Sequence, residues 1–309
     1  MLALYFENDF LNDFWIEYDQ SDNFYIKKLL TIINEFAEMT VFIGGAANTI
    51  EFEHPYFDYM HNNNLVVLGQ LDEFIAFSSK RTKIAFMRNG CDIVIDNSIL
   101  FIDFENLIPI LKSIYGNCQF KIDLSEENNI TNKFKQLNCL KFLPSETITL
   151  IDKYALLDEY VFKNEFIELL KSIINSNQKL TLTFLTNSLI DNRYMTPAEK
   201  NDREGAVFKK RRSLIDRTFP AKINEMKFVK LFSRRYTRFD FHDRILLANL
   251  FTIDIGVGFG GTGHKSNSMI IVDTILDKFT YKRTKNITEE IDRYMQWLNN
   301  EEQQEIKVY

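Results

Sequence analysis

Residues 147–174, TITLIDKYALLDEYVFKNEFIELLKSII, decide the fold. Thr147–Ile151 alternates apolar and polar as a strand does. Val161–Ile174 places Phe162, Phe166, Leu169 or Leu170 and Ile173 on one helical face, and Leu180, Leu182 and Phe184 alternate again. The result is a strand–helix–strand unit. Downstream, Thr186–Glu204 is polar and irregular and Gly205–Asp216 reads as a basic helix. Met226–Phe232, Phe239–Ala248 and Phe251–Ile255 read as strands, and Met269–Val272 as a short strand or the start of a buried helix. The tail carries Ile287, Ile291, Tyr294, Met295 and Leu298 on one face of a helix, with Asn286 as its cap and Glu289 three residues later. This half is an α/β domain with a mixed sheet.

Upstream, Leu143-Pro144-Ser145 is the best place for a boundary, giving domains 1–143 and 144–309. The first is also α/β. Phe24–Met39 has a helical stripe, and Val41–Ile43, Leu65–Leu68, Phe74–Phe77, Lys83–Met87, Ile93–Ile95 and Ile99–Ile102 are strand-like apolar runs. Helical patterns at Asn106–Tyr115 and Glu126–Leu137 flank a strand-like Gln119–Asp123. With 309 residues, 45% of them hydrophobic and 28 of them Phe, the chain has ample apolar surface for two cores, which excludes disordered and fibrous classes. The N-terminus MLALYFENDF lacks a basic leader region, and no apolar run approaches the ~20 residues of a membrane span. Three cysteines (Cys91, Cys118, Cys139) without C-x-x-C spacing suit a reducing compartment, and a cytoplasmic location is expected. The histidines of EFEHPYFDYMHNN, His54 and His61, have no metal-ligand spacing, so no metal or other cofactor is expected.

Charge is unevenly spread. The net is −6, but residues 1–60 hold eleven acids and two bases, whereas residues 203–244 hold thirteen bases and five acids. A cationic stretch of this size suits a polyanionic partner, because Lys and Arg displace counterions from phosphate. Equally, the acidic start of the chain can neutralise it. Lys209, Lys210, Arg211, Arg212, Arg217, Arg234, Arg235 and Arg238 are the candidate nucleic-acid contacts, with Tyr236 and Phe239 interleaved for base stacking.

Near the end of this stretch the spacing of residues carries chemistry. His242, Arg244, Asn249, Gly256 and Val257 fall at the intervals of H-x-K-x4-D-x6-G-S, the motif of phosphodiesterases of the phospholipase D superfamily. This resembles a degenerate form of that motif, with Arg for Lys, Asn for Asp and Val for Ser. The segment 148–174 together with His242-Asp243-Arg244 and the glycines Gly256 and Gly258 is similar to the phospholipase D-like C-terminal domain found after microtubule-interacting-and-trafficking modules. The similarity spans about residues 145–285 and includes Asp152 and Tyr154 at a strand end, although GVGFG replaces that family's G-R-G-L-D turn. It implies a phospholipase D-like mixed sheet flanked by helices, preceded by a separate α/β domain. The H-D-R module also resembles parts of prokaryotic proteins tied to mobile elements and defence, which would imply a role of that kind.

In that superfamily a neutral histidine attacks phosphorus while a second histidine protonates the leaving oxygen. One such motif is present here, so catalysis requires a homodimer in which two copies of His242 face each other. The resemblance assigns His242 the nucleophile and acid roles and Arg244 the phosphate clamp. Asp243 or Asp240 would replace the acid lost at Asn249. Five of the eleven glycines lie within Gly256–Gly263; GxGxxG formally matches there, but GHKSNS follows where a dinucleotide fold needs a helix. A phosphate cradle of Gly256, Gly258, Lys265 and Ser266 fits better. Two functions stay open: a metal-independent nuclease acting as a homodimer, and a non-catalytic module binding nucleic acid or a phosphoinositide while the N-terminal half engages a protein partner.

Overall fold

The computed structural model describes residues 2–18, 21–35, 40–44, 58, 61–63, 65–77, 82–89, 99–117, 119–123, 134–152, 156, 158–175, 179–186, 194–230, 244–255, 269–300 and 306–308. The chain divides into two compact units: Met1–Asn117 with Leu276–Tyr281, and Cys118–Ile275 with Lys282–Tyr309.

The first unit holds β1 (Leu2–Glu7), β2 (Thr40–Gly44), β3 (Val66–Leu68), β4 (Thr82–Met87) and β5 (Ile99–Asp103). They form one sheet in the order β3-β2-β1-β4-β5, every pair parallel. A parallel sheet is covered on both faces, so its strands are apolar on both. LALYFE at β1 obeys this rule, with Leu2 to Phe6 all buried. On one face Phe6 stacks on Phe86 at 4.7 Å, and Phe10 and Phe14 of α1 (Asn8–Tyr18) extend the cluster. On the other, Ala3, Tyr5, Phe42, Ala85 and Ile99 pack with Phe74 of α3 (Leu71–Ala76). Two further helices of the unit, α2 (Phe24–Glu35) and α4 (Leu107–Asn117), meet each other through Tyr25 and Tyr115. The Tyr115 hydroxyl donates to Leu276 O at 3.1 Å, and burial raises its pKa. Gly44 is required where β2 ends, because a Cβ there would fall 2.0 Å from the Tyr5 hydroxyl oxygen.

In the second unit the strands are β6 (Phe120–Asp123), β7 (Thr147–Ile151), β8 (Leu180–Thr186), β9 (Ile223–Lys230), β10 (Ile245–Leu247), β11 (Phe251–Asp254), β12 (Met269–Thr274) and β13 (Ile306–Val308). The sheet order is β13-β9-β8-β7-β10-β11-β12-β6. The pairs β7–β8 and β8–β9 are parallel and the others antiparallel, so the sheet is mixed. The parallel pairs require crossovers. The first is α5, running from Glu159–Val161 through a π-helical turn Phe162–Phe166 into Ile167–Ile173; the second is α6 (Pro197–Thr218). Phe162 and Phe166 reach Phe184, and Phe208 stacks on Phe228 at 4.0 Å. The opposite face packs Ile151, Leu185, Val229, Ile245 and Leu247 against Ile287 and Tyr294 of α7 (Lys278–Asn300).

Four details depart from the sequence expectations. The units divide after Asn117 rather than at 143/144, because β6 pairs with β12 and the 3-10 helix Lys135–Phe142 is tied to the end of α5 by Asn175 Nδ2 donating to Lys141 O. Phe74–Phe77 is not a strand: Phe74 ends within α3, whose first turn carries Asp72 and Glu73, with Glu73 accepting from Gln70 N. A four-residue apolar run has no period to separate the two. The last helix starts at Lys278, where Asp277 accepts from Phe279 N and Thr280 N, and Asn286 lies inside it. The basic helix is longer than Gly205–Asp216 and starts at Pro197 with a capping box in which Thr196 and Glu199 exchange bonds. Ile93–Ile95 and most of Glu126–Leu137 lie outside the described residues. Among the described residues, no helix is long and apolar enough to cross a membrane.

Candidate nucleic-acid interface

The second sheet places Asp152 directly after β7, Thr186 at the end of β8 and Arg244 immediately before β10, all at the carboxyl edge of the parallel strands. Open α/β sheets bind ligands at that edge, where the order of strands reverses direction. Here the chain goes from β7 to β8 and β9 on one side, then to β10 on the other. Asp152 N donates to Leu185 O and Arg244 O accepts from Ile255 N, so both backbones are fixed by the ladder. Their side chains pair, with Arg244 Nε 3.6 Å from Asp152 Oδ1, the carboxylate fully buried and the arginine side chain 12% exposed. Burying two charges is tolerated when they are paired, whereas removing one partner leaves an uncompensated charge.

Arg244 is therefore balanced by Asp152. The buried acid beside Arg244 is thus Asp152, whereas the motif spacing points to Asp243 or Asp240. The signal was present: a carboxylate ending an apolar strand is buried with it and needs a cation. Asn249 sits elsewhere, in the turn between β10 and β11, where its Oδ1 accepts from Glu146 N at 3.0 Å and Thr147 N at 3.1 Å. Arg244 lies beside the carboxyl end of β7 and Asn249 at its start, roughly 16 Å apart at strand rise. The structure does not bring these two motif positions together. His242, Asp243, Gly256, Gly258, Lys265, Ser266, Arg234, Arg235 and Arg238 lie outside the described residues.

The run Lys209-Lys210-Arg211-Arg212 separates by helical phase. Glu204, Phe208, Arg211 and Ile215 form the buried face of α6. Arg211 is 4% exposed; its Nε donates to Leu156 O, Nη1 lies 3.7 Å from Glu159 and the guanidinium covers the Phe162 ring at 5.0 Å. Burial lowers its pKa, opposed by Glu159 and Asp158. It is thus a packing residue held by Leu156, Glu159 and Phe162, not the nucleic-acid contact that the basic run predicts. Arg212 is largely consumed too, donating to Asp216 at 2.8 Å and to Ile223 O. Lys209, Lys210 and Arg217 are exposed, as is Arg203. Spacing of three and four alone could have made this division, since 204, 208, 211 and 215 share one stripe.

Among the described residues, no group of three or more His, Cys, Asp or Glu side chains is placed to hold a metal ion. Comparison with protein-family models, curated proteins and solved structures returned no match.

Proposed function

We propose that the chain engages nucleic acid through its second unit, a phospholipase D-like domain with a degenerate motif. The observation that carries this reading is the solvent face of α6, where Lys209, Lys210 and Arg217 stand exposed while the neighbouring arginines are taken up by the fold. A strand–helix–strand–helix–strand core extended by antiparallel strands is also compatible with the resemblance. Arg244 paired with a buried Asp152 and Asn249 bound to the start of β7 favour binding over turnover. Cleavage would rest on His242, with a second copy supplying the partner histidine.

The test is incubation of the protein and its His242→Ala variant with DNA and RNA, single- and double-stranded, in the presence of chelator at low salt. The expected result is equal retention by both proteins without strand scission. Scission lost in the variant would instead establish a metal-independent histidine nuclease, and absence of retention would overturn nucleic-acid engagement.

A further inference from the structure

The exposed cations of α6 form a pattern more specific than a basic patch. Arg203, Lys210 and Arg217 recur every seven residues and so lie along one line of the helix, about 10.5 Å apart at 1.5 Å per residue. Lys209 flanks that line, and the positions between the cations are small: Ala206 and Ser213, both exposed. The Ser213 hydroxyl donates to Lys209 O, and Arg217 Nε donates to Ser213 O, which lays the arginine along the helix. Of the acids on the same helix, Glu204 is buried, Asp202 and Asp216 are exposed beside the cations, and two have bound partners. Glu199 is bound by Thr196 and Asp216 by Arg212. No aromatic residue lies among the exposed positions from Arg203 to Arg217, and Tyr194, 98% exposed, comes before the helix begins at Pro197.

Resting on the nucleic-acid reading above, we infer that α6 contacts the phosphate backbone of duplex DNA without reading its bases. A helix enters the B-form major groove, which is roughly 12 Å wide, whereas the corresponding groove of A-form RNA is too narrow for it. Cations recurring about every 10.5 Å along one line of a rigid helix follow a single phosphate wall of that groove, and small residues between them allow close approach. Single strands are held chiefly by stacking on aromatic side chains, which this face lacks. The contact is therefore electrostatic, insensitive to sequence and selective for the duplex.

The experiment measures retention of a 20-base-pair duplex DNA, its separate strands and the same sequence as duplex RNA, between 50 and 200 mM salt. Four phosphates neutralised give a log–log slope of about −3.6, an affinity loss of about 150-fold across that range. The duplex is expected to bind at least tenfold tighter than either strand or the RNA, and equally for unrelated sequences. Replacing both Lys209 and Lys210 by Ala is expected to make the slope shallower by about 1.8. Single strands or duplex RNA bound as tightly as duplex DNA, or an unchanged slope in the double variant, would overturn the inference and leave nucleic-acid engagement standing. Retention of no nucleic acid at 50 mM salt would overturn both.

Discussion

Asn249 illustrates how a motif position can hold a structural role. Its carboxamide oxygen accepts two backbone N–H groups at the start of β7, an interaction that depends on the oxygen and not on charge. Asn249→Ala should lower the urea midpoint, corresponding to a loss of about 1–2 kcal/mol, whereas Asn249→Asp, which keeps the acceptor, should stay within about 0.5 kcal/mol. An alanine variant as stable as the parent would remove the structural role. Arg211 teaches the same lesson from the opposite side, since its charge counted towards a basic run although its helical phase directs it inward against Phe162 and Glu159. Phase was legible in the sequence. What could not be read was that Leu156 O and Glu159 would await it there, because both come from a segment fifty residues upstream.

At the scale of elements, α6 depends on its first turn. Thr196 N and Oγ1 both donate to Glu199, and these bonds hold the Glu199 carboxyl below its ordinary pKa. A depressed folded-state pKa contributes stability that is complete above the unfolded value, about 4.3, and is lost as pH falls through the folded value. Melting curves of the parent and of Glu199→Gln should therefore differ by a constant amount from pH 5 to 7 and converge below pH 4. A difference that is the same at pH 3 and pH 7 would contradict this. The signature TPAE was readable as a capping box, yet the polar composition around it suggested irregular chain. The alternating strands of the second sheet were legible for a related reason: period two is visible only where one face differs from the other. In β1, buried on both faces, LALYFE shows no alternation, and the central strand of the first sheet passed unread.

For the molecule as a whole, the expected division at 143/144 would strip β6 from β12 and part the 3-10 helix Lys135–Phe142 from α5. A fragment of residues 118–309 should accordingly melt higher, and resist protease longer, than one of residues 144–309. Equal stability would show that β6 contributes nothing to the second sheet. Pro144 looked like punctuation because Leu143-Pro144-Ser145 breaks the local pattern, but it only ends the 3-10 helix before β7. Long-range pairing decides the boundary, and no local composition records it.

The first unit also includes Leu276–Tyr281, where Leu276 O receives the Tyr115 hydroxyl. This stretch is separated from Asn117 by the 158 residues of Cys118–Ile275. A ribosome adding roughly 5–20 residues per second needs on the order of 8–30 s to cross that interval. The sheet of this unit is complete once Asp103 has emerged, but the unit itself is finished late: the Tyr115 hydroxyl exchanges water for Leu276 O only after the intervening residues have been made.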